Sequence, residues 1–493
     1  MMKRIATPVP VAGGLARHEA QVTRDLGLLG FPAKPWLHPQ TTAVGEPVLD
    51  VAIIGAGMNG IAAASALLAK GIVNIGLFDA NEPGREGPWN RYARMDTLRS
   101  PKTLTGPALG IPSLTFAAWY AANFGEAAWE ALYKIPNAVW VDYLGWLQRV
   151  LALPVRHRTA LTRLRPHDGL LALDIETAEG TGTIFARHVV LATGRGGAGG
   201  DVWPDVVPLE LKPDFAAHSN DPIDFERLRG KSVGVIGGSA SAWDNAATAL
   251  EQGAASATMY LRRPHLPQIN KGRGSANPGF FHGWSSLPDA ERWALSAYLD
   301  DMLAPPPHET VLRALKSNGL DIRFRHSVAG VRREAGELVL DIDAPEGRIE
   351  RRHDFIVAAT GFQVDAGNIP ELTDFAPHIA RWSDRYAPPA GLARPALARA
   401  PYLGPGFELL PRGASAPAEL SRIHLVNHGA SVSHGAIASD IPGVGIAGER
   451  VAQALVAALF AQDIARVRRD LEAFDEPELK DTPFFRPEDF RRA

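Results

Sequence analysis

The sequence predicts an α/β architecture of two parallel-sheet units, the second inserted into the first. Three observations carry this. An apolar run over 48–54 leads into Gly55-Ala-Gly57-Met-Asn-Gly60. A second run from Lys231 leads into Gly237-Gly238-Ser239-Ala-Ser241. The tripeptide Ala-Thr-Gly occurs twice, as Ala192-Thr193-Gly194 and Ala359-Thr360-Gly361, on either side of the second run. A short, continuous apolar run fits a parallel strand buried on both faces. A glycine turn after such a strand opens a helix whose free N–H groups can face a phosphate. Both units therefore read as dinucleotide-binding, Rossmann-like domains.

The elements follow in order. Residues 1–47 are rich in Pro and Gly and read as an N-terminal extension packed on the outside, with a helix near 15–29. Lys3 and Arg4 precede Pro8 and Pro10, which makes a poor signal peptide. After the first glycine turn come an Ala-rich helix, about 61–70, and a strand, about 73–78, ending at Asp79. A Gly/Pro/Trp-rich loop covers 82–112. A helix over 138–151 carries the stripe Trp140, Tyr143, Leu144 and Leu147. Short strands over 160–188 lead to a strand at 188–192 and the first Ala-Thr-Gly. The second unit has a helix over 241–252, a strand over 257–261 and a loop-like insertion over 264–308. A final helix over 448–460 follows the loop His428–Gly445. The expected domains are 48–195 with 355–465 for the first unit, 225–354 for the second, and a tail over 466–493.

Composition narrows the function. With 493 residues, more than one core is expected. Apolar content of 46%, charged content of 21% and net charge −3 are those of an ordinary globular protein, with nothing that favours nucleic acid or a membrane surface. A cytoplasmic enzyme is the expectation. The absence of cysteine removes disulfides, thiol nucleophiles and redox Cys pairs. No His/Asp/Glu cluster has ligand spacing, so no metal is expected.

Each fingerprint residue has a job. Gly55 allows the tight turn, Gly57 lets backbone approach a pyrophosphate, and Gly60 lets helix pack on strand. Asp79 is placed to accept from ribose hydroxyls. In the second unit Gly237, Gly238, Ser239 and Ser241 occupy the phosphate turn, with Ser239 in place of the middle glycine. Arg262 and Arg263 end the next strand, where a 2′-phosphate would lie, so NADPH is expected there. The plainer readings are a packing turn for the first unit and a solvated basic strand end for the second.

The segment Gly87-Pro-Trp89-Asn-Arg91-Tyr92-Ala-Arg94-Met-Asp96-Thr-Leu-Arg99-Ser100 resembles a stretch of the class B flavoprotein monooxygenases. That group holds the flavin-containing, Baeyer–Villiger and amine N-hydroxylating monooxygenases. The resemblance runs from about 50 to 460 and includes both fingerprints, both Ala-Thr-Gly junctions and Phe215-Ala-Ala-His218-Ser219. It implies FAD on the first unit and NADPH on the second, with Thr193, Gly194, Thr360 and Gly361 at the domain crossings. Trp89 and Arg91 would lie near the flavin and Asp96 would face it. Lys271, Arg273 and Asn277 would line a substrate or nicotinamide site, and His428 and His434 would lie under the flavin. The implied activity forms a C4a-(hydro)peroxyflavin from dioxygen and oxygenates a small organic substrate. Lys212, Asp214 and Pro222 replace the Phe, Gly and aromatic residues of the linker signature of ketone-oxygenating members, which favours a nitrogen or sulfur atom over a ketone. Baeyer–Villiger oxygenation, an NADPH oxidase or reductase, and a non-catalytic nucleotide sensor are the alternatives. Asp96 also reads as a turn-capping loop residue, and the two histidines as loop hydrogen-bonders. The expected partners are the substrate and dioxygen, with no nucleic acid and no membrane; a homo-oligomer is compatible with this reading.

Overall fold

The first sheet forms around the apolar run that precedes Gly55. In the computed structural model residues 8–486 are described; Lys3 and Arg4 and the end of the expected tail lie outside them. Eight strands make this sheet: Gln40–Thr41 (β1), Pro47–Ile54 (β2), Ile75–Phe78 (β3), Val155–Arg156 (β4), Ala160–His167 (β5), Leu170–Thr177 (β6), Gly180–Leu191 (β7) and, much later, Ile423–Leu425 (β16). The strand β7 serves two layers. Its second half pairs in parallel with β2 on one side and β16 on the other, and its first half pairs antiparallel with β6. A parallel nucleotide-binding layer and an antiparallel meander thus share one strand.

The helix Met58–Leu68 is buried from Asn59 to its end. It is sandwiched between the sheet and the helix Val444–Gln462, and its Ala-rich sequence makes that possible, because small side chains let helix axes approach. At Gly448 any Cβ would come within 2.6 Å of the Ala62 carbonyl oxygen. The Val444–Gln462 helix begins four residues before the expected start at 448, and the loop ahead of it is a string of short helical turns. Among the described residues it is the one helix long and apolar enough to cross a membrane, with mean hydropathy 1.4 over Ile441–Gln462. Burial of Ala447, Val451, Ala452, Leu455 and Leu459 accounts for that apolarity.

The N-terminal extension joins the core. Its helix Gly14–Leu28 buries Val22 and Leu26, and His18 stacks on Trp146 at 5.6 Å. The expected stripe Trp140, Tyr143, Leu144 and Leu147 is buried on the helix Asn137–Val150.

The second sheet is wholly parallel: Ala216–His218 (β8), Ser232–Ile236 (β9), Ser256–Leu261 (β10), Leu320–Phe324 (β11) and Phe355–Ala358 (β15), in the order β11-β10-β9-β15-β8. This corrects two boundaries. The first unit was expected to resume at 355, yet β15 pairs with β9, so the second domain runs past 354. It also starts before 225, because β8 belongs to it. Both are short apolar runs without a glycine turn, and only their tertiary pairing reveals which sheet they join. An antiparallel meander of Ser327–Glu334 (β12), Glu337–Ala344 (β13) and Gly347–His353 (β14) covers this sheet through Val331, Leu338, Leu340 and Ile342.

The insertion 264–308 is helical rather than loop-like. It contains Lys271–Gly274, Pro278–Gly283 and Asp289–Met302, and the helix His308–Leu315 follows. Trp284 and Trp293 are anchors: Trp293 packs on Trp382, and Trp284 donates to the Val432 carbonyl at 3.0 Å.

Replacing Gly448 by Val should lower the thermal midpoint, since overpacking against backbone costs about 1–3 kcal/mol. Gly145→Ala is the control. A Cβ there meets only the flexible end of Arg149, at 3.9 Å, and stability should hold or rise.

Candidate dinucleotide sites and domain junction

Both phosphate turns are built the same way. Gly55 has φ +100° and Gly237 φ +137°. A Cβ on Gly55 would strike the carbonyl oxygen of Ala192, and one on Gly237 that of Ala359. The Ala of each Ala-Thr-Gly junction is therefore packed on the first glycine of its own fingerprint. A Cβ on Gly60 would strike the Gly55 carbonyl oxygen, which is the close helix–strand approach expected of it. Gly57 and Ser239 are N-caps with matching extended ψ (−169° and −178°), and neither helix has a side-chain cap. The first-turn N–H groups of both helices are left for an anion. The Ser239 hydroxyl is not used as a cap, and the helix after it runs Ala240–Glu251. The Ser241 carbonyl accepts from Asn245. Gly238 lies over Leu261, at the end of β10.

Asp79 is buried at the end of β3. Its Oδ2 accepts from the Ala56 N–H at 2.9 Å, and its Oδ1 from the backbone and side chain of Asn81, both at 2.8 Å. Three of about four acceptor positions of the carboxylate are thus used by the turn, leaving one for a ribose hydroxyl. At the second unit Arg262 is exposed, Arg263 is half-buried, and neither forms an ion pair among the described residues. Burial, with the Arg262 charge added, holds the Arg263 guanidinium below its ordinary range. Two adjacent cations with no acid form a site for a phosphate dianion.

Trp89 is buried; its carbonyl accepts from Asn137 at 2.6 Å and its ring meets Trp140 edge-on at 6.4 Å. Arg91 is exposed, 5.9 Å from the Tyr92 ring, and Tyr92 packs on Phe362 at 6.0 Å. The junctions are tied by their threonines. Thr193 Oγ1 accepts from Asn427 at 3.0 Å, and Thr360 Oγ1 donates to the Val202 carbonyl. Gly194 and Gly361 have φ +68° and +86°, and the Gly361 carbonyl accepts from the Val202 N–H at 2.9 Å, so the two crossings pair with each other.

Asp96 meets a cation other than those expected. Its carboxylate lies 3.6 Å from Nε of Arg313, on the His308–Leu315 helix, and not against Lys271, Arg273 or Arg94. Burial raises its carboxyl pKa and Arg313 opposes the rise. Arg313 is buried, binds Glu251 through two nitrogens at 2.8 and 2.6 Å, and donates to the Arg94 carbonyl at 2.6 Å. Arg94 donates in turn to the Ser219 and Asp221 carbonyls, at 2.6 and 2.8 Å. Each domain sends one buried arginine into the other. Lys271 and Arg273 lie on a four-residue helix whose N-cap is Asn270; Arg273 is exposed and Lys271 half-buried, and the structure does not join them to Asp96. Asn277 caps the next short helix. No metal-binding cluster occurs among the described residues.

The two loop histidines are held neutral. His434 is buried; its Nδ1 accepts from Arg450 at 3.0 Å and its Nε2–H donates to the Gly404 carbonyl at 3.0 Å. Burial, then the Arg450 charge, pushes its pKa down to about 3, and burial with Arg195 pushes His428 down to about 3. Both rings are therefore neutral near pH 7, and both take part in loop hydrogen bonds, the role expected of each: His434 with the Gly404 carbonyl and His428 with the Ser431 hydroxyl. Sequence reasoning missed Arg313 as well, because an arginine on an amphipathic helix carries no mark of its partner.

A model of the pyridine nucleotide-disulphide oxidoreductase family matches residues 52–273, which span both fingerprints. The chain is 39% identical, over 465 residues, to the FAD-dependent urate hydroxylase of Xanthomonas campestris pv. campestris, covering 94% of this chain and 97% of the relative. The chain belongs to the FAD-dependent flavoprotein monooxygenases. This monooxygenase shares only a nucleotide-binding layout with disulfide reductases, since it has no cysteine. Its fold is also that of the ornithine hydroxylase of Pseudomonas aeruginosa (TM-score 0.67, 16% identity, 84% of this chain and 100% of that one). L-lysine 6-monooxygenase of Pseudomonas syringae is similar (TM-score 0.63, 20% identity, 83% and 99%). FAD and NADPH are its cofactors, and the uncapped helix ends, the Asp79 turn and the unpaired Arg262 and Arg263 fit them.

Replacing Arg262 and Arg263 together by Ala should raise KM for NADPH by one to two orders of magnitude, at about 1.5–3 kcal/mol per charged hydrogen bond, and leave KM for NADH nearly unchanged. Equal losses for both would make the arginines structural.

The buried histidines also set an acid limit. Their folded pKa values lie below the ordinary 6.5, so their contribution is full above that value and is lost as pH falls from 6.5 toward 3. The thermal midpoint should fall across that window, and His434→Gln should make the fall shallower.

Proposed function

We propose that this monooxygenase hydroxylates a small, electron-rich, nitrogen-containing substrate, with urate the first candidate. The observation that carries the reading is the 39% identity along nearly the whole of a urate hydroxylase. The fold likeness to ornithine and lysine hydroxylases adds no substrate, but electrophilic oxygen delivery to an electron-rich centre is common to amine and urate chemistry. The degraded linker agrees. Lys212 is bound to Asp221 at 2.8 Å and lies over the Trp203 ring at 4.7 Å, a structural use of the position.

Bound FAD supplies oxygen activation and NADPH supplies two electrons. The chain's own residues bind, orient and shield. The two uncapped helix N-termini hold the pyrophosphates, and Arg262 with Arg263 selects the phosphorylated cofactor. Trp89 and Trp140 form a buried edge-on pair behind the loop. Arg94 and Arg313 hold the loop of Trp89 and Asp96 against the NADPH domain. Asp96 acts there as a charged contact at the domain boundary, with Lys271 and Arg273 as surface cations of the insertion.

The test is NADPH oxidation by the FAD-loaded protein with urate, L-ornithine, L-lysine and a cyclic ketone in parallel. Urate should stimulate oxidation and be consumed with it. Peroxide as the sole oxygen product with every compound would make the protein an oxidase.

Asp96→Asn keeps shape and removes charge. FAD content should stay full, while product per NADPH should fall and peroxide should rise. A loss of about 2–4 kcal/mol in transition-state stabilisation corresponds to roughly 30- to 1,000-fold in kcat. An unchanged coupling ratio would remove Asp96 from the reaction.

A further inference from the structure

A cavity of about 1250 Å³ lies along the Val444–Gln462 helix, lined by Ile446, Arg450, Gln453 and Ala457 of that helix. Thr105 and Gly106 border it on one side and His282 of the insertion on another. Much of the wall is apolar, from Leu109, Ile111 and Ile446. Such a concave, largely apolar space with a few convergent polar groups is the form of a small-molecule site.

The polar groups are unusual in being unpaired. Arg450 lines the cavity, and its guanidinium donates to His434 Nδ1 at 3.0 Å and to the Phe281 carbonyl at 3.4 Å. Both partners are neutral. His434 supplies no counter-charge, since an imidazole is only neutral or cationic; its other nitrogen donates to the Gly404 carbonyl and its ring stacks on Phe407 at 4.0 Å. Arg450 forms no ion pair among the described residues. Burial holds it below its ordinary range. A partly buried cation without an acid is costly unless something anionic visits it. Gln453, three residues on, lines the same space and adds an amide.

The remaining polar wall accepts rather than donates. Glu408 takes the Gly406 N–H at 2.7 Å on Oε2 and has no cationic partner among the described residues. Behind it His424 gives Nδ1–H to the Gly406 carbonyl and His188 gives Nδ1–H to His424. The charge nearest His434 besides Arg450 is Arg292, already bound to Asp289. Glu449, also at the cavity, is bound to Lys70 at 2.6 Å. One free cation, one amide and one free carboxylate thus line a mostly apolar space.

We infer that this cavity binds the substrate as a small organic anion carrying N–H donors, with Arg450 and Gln453 holding the anion and Glu408 accepting an N–H. The inference rests on the proposed function. Urate, an anion at neutral pH with ring N–H groups, has this chemistry; L-ornithine offers a carboxylate and N–H donors but a net positive charge, and the two are told apart by titrating each.

The experiment is isothermal titration of the FAD-loaded full chain with urate and, separately, with L-ornithine. Wild type is compared with Arg450→Gln, Arg450→Lys, Gln453→Leu and Ala457→Trp. The last two alter exposed residues of the cavity wall and keep the test alive if Arg450→Gln fails to fold. Urate, the anion of the two, should bind wild type. Its affinity should fall at least tenfold in Arg450→Gln and in the cavity-filling Ala457→Trp, less in Gln453→Leu, and recover in part in Arg450→Lys. Affinity that ignores Gln453→Leu and Ala457→Trp overturns the cavity, and oxygenation of urate by that same wild type would leave the proposed function intact. Binding that follows the pattern without any oxygenation sinks the proposed function and keeps the cavity as a binding site. Failure of wild type to bind urate, or tighter binding of L-ornithine than of urate, overturns the inference.

Discussion

The exchange of Arg94 and Arg313 across the domain boundary is the interaction on which a two-cofactor reaction in this fold depends. Hydride passes between cofactors only if the two domains keep one relative placement. Each arginine is buried and each donates to backbone carbonyls of the other domain. Charged hydrogen bonds are worth about 1.5–3 kcal/mol each, and breaking a buried charge network costs more than making it gains. Glu251 fixes Arg313 from the helix that follows the second glycine turn. Arg94 belongs to the loop that carries Trp89 and Asp96. The phosphate turn of one domain and the aromatic loop of the other are therefore connected through two guanidinium groups.

The crossings add a second restraint of backbone type. Val202 pairs with Gly361, Gln363 with Gly200 and Asp365 with Ala198, so the outward and returning strands of chain are zipped together. Phe362 sits between Tyr92 and His218, with ring distances of 6.0 Å to each. A hinge between domains would have to unzip these bonds and withdraw that ring. The short polar pairings and the arginine exchange thus favour one docked arrangement.

Much of this was legible in the sequence where the signal is local. Gly55 and Gly60 and the strand before them declare their turn because backbone geometry demands glycine at those places, whereas Gly57 has an ordinary φ and room for a Cβ. The repeated Ala-Thr-Gly was legible for a reason that only the structure displays: the alanine carbonyl closes on the first glycine of each fingerprint. The limits of the second domain were not legible, since β8 and β15 are short apolar runs whose sheet is chosen by tertiary pairing. Glycine and proline hid the helices of the insertion, whose tryptophans supply the packing that propensity lacks. Asp96 showed that an acid was present but not which cation meets it, because Arg313 lies more than two hundred residues away in sequence. His428 and His434 were legible as loop hydrogen-bonders, but not the burial beside cations that keeps both rings neutral.

With FAD and NADPH held in a fixed relation, the proposed reaction moves one oxygen atom from dioxygen to a nitrogen-rich substrate. Turnover of urate under ¹⁸O₂, with NADPH consumption and product followed together, should give one labelled oxygen in the product for each NADPH consumed. Unlabelled product, or NADPH oxidation that ends wholly in labelled hydrogen peroxide, would rule that reaction out.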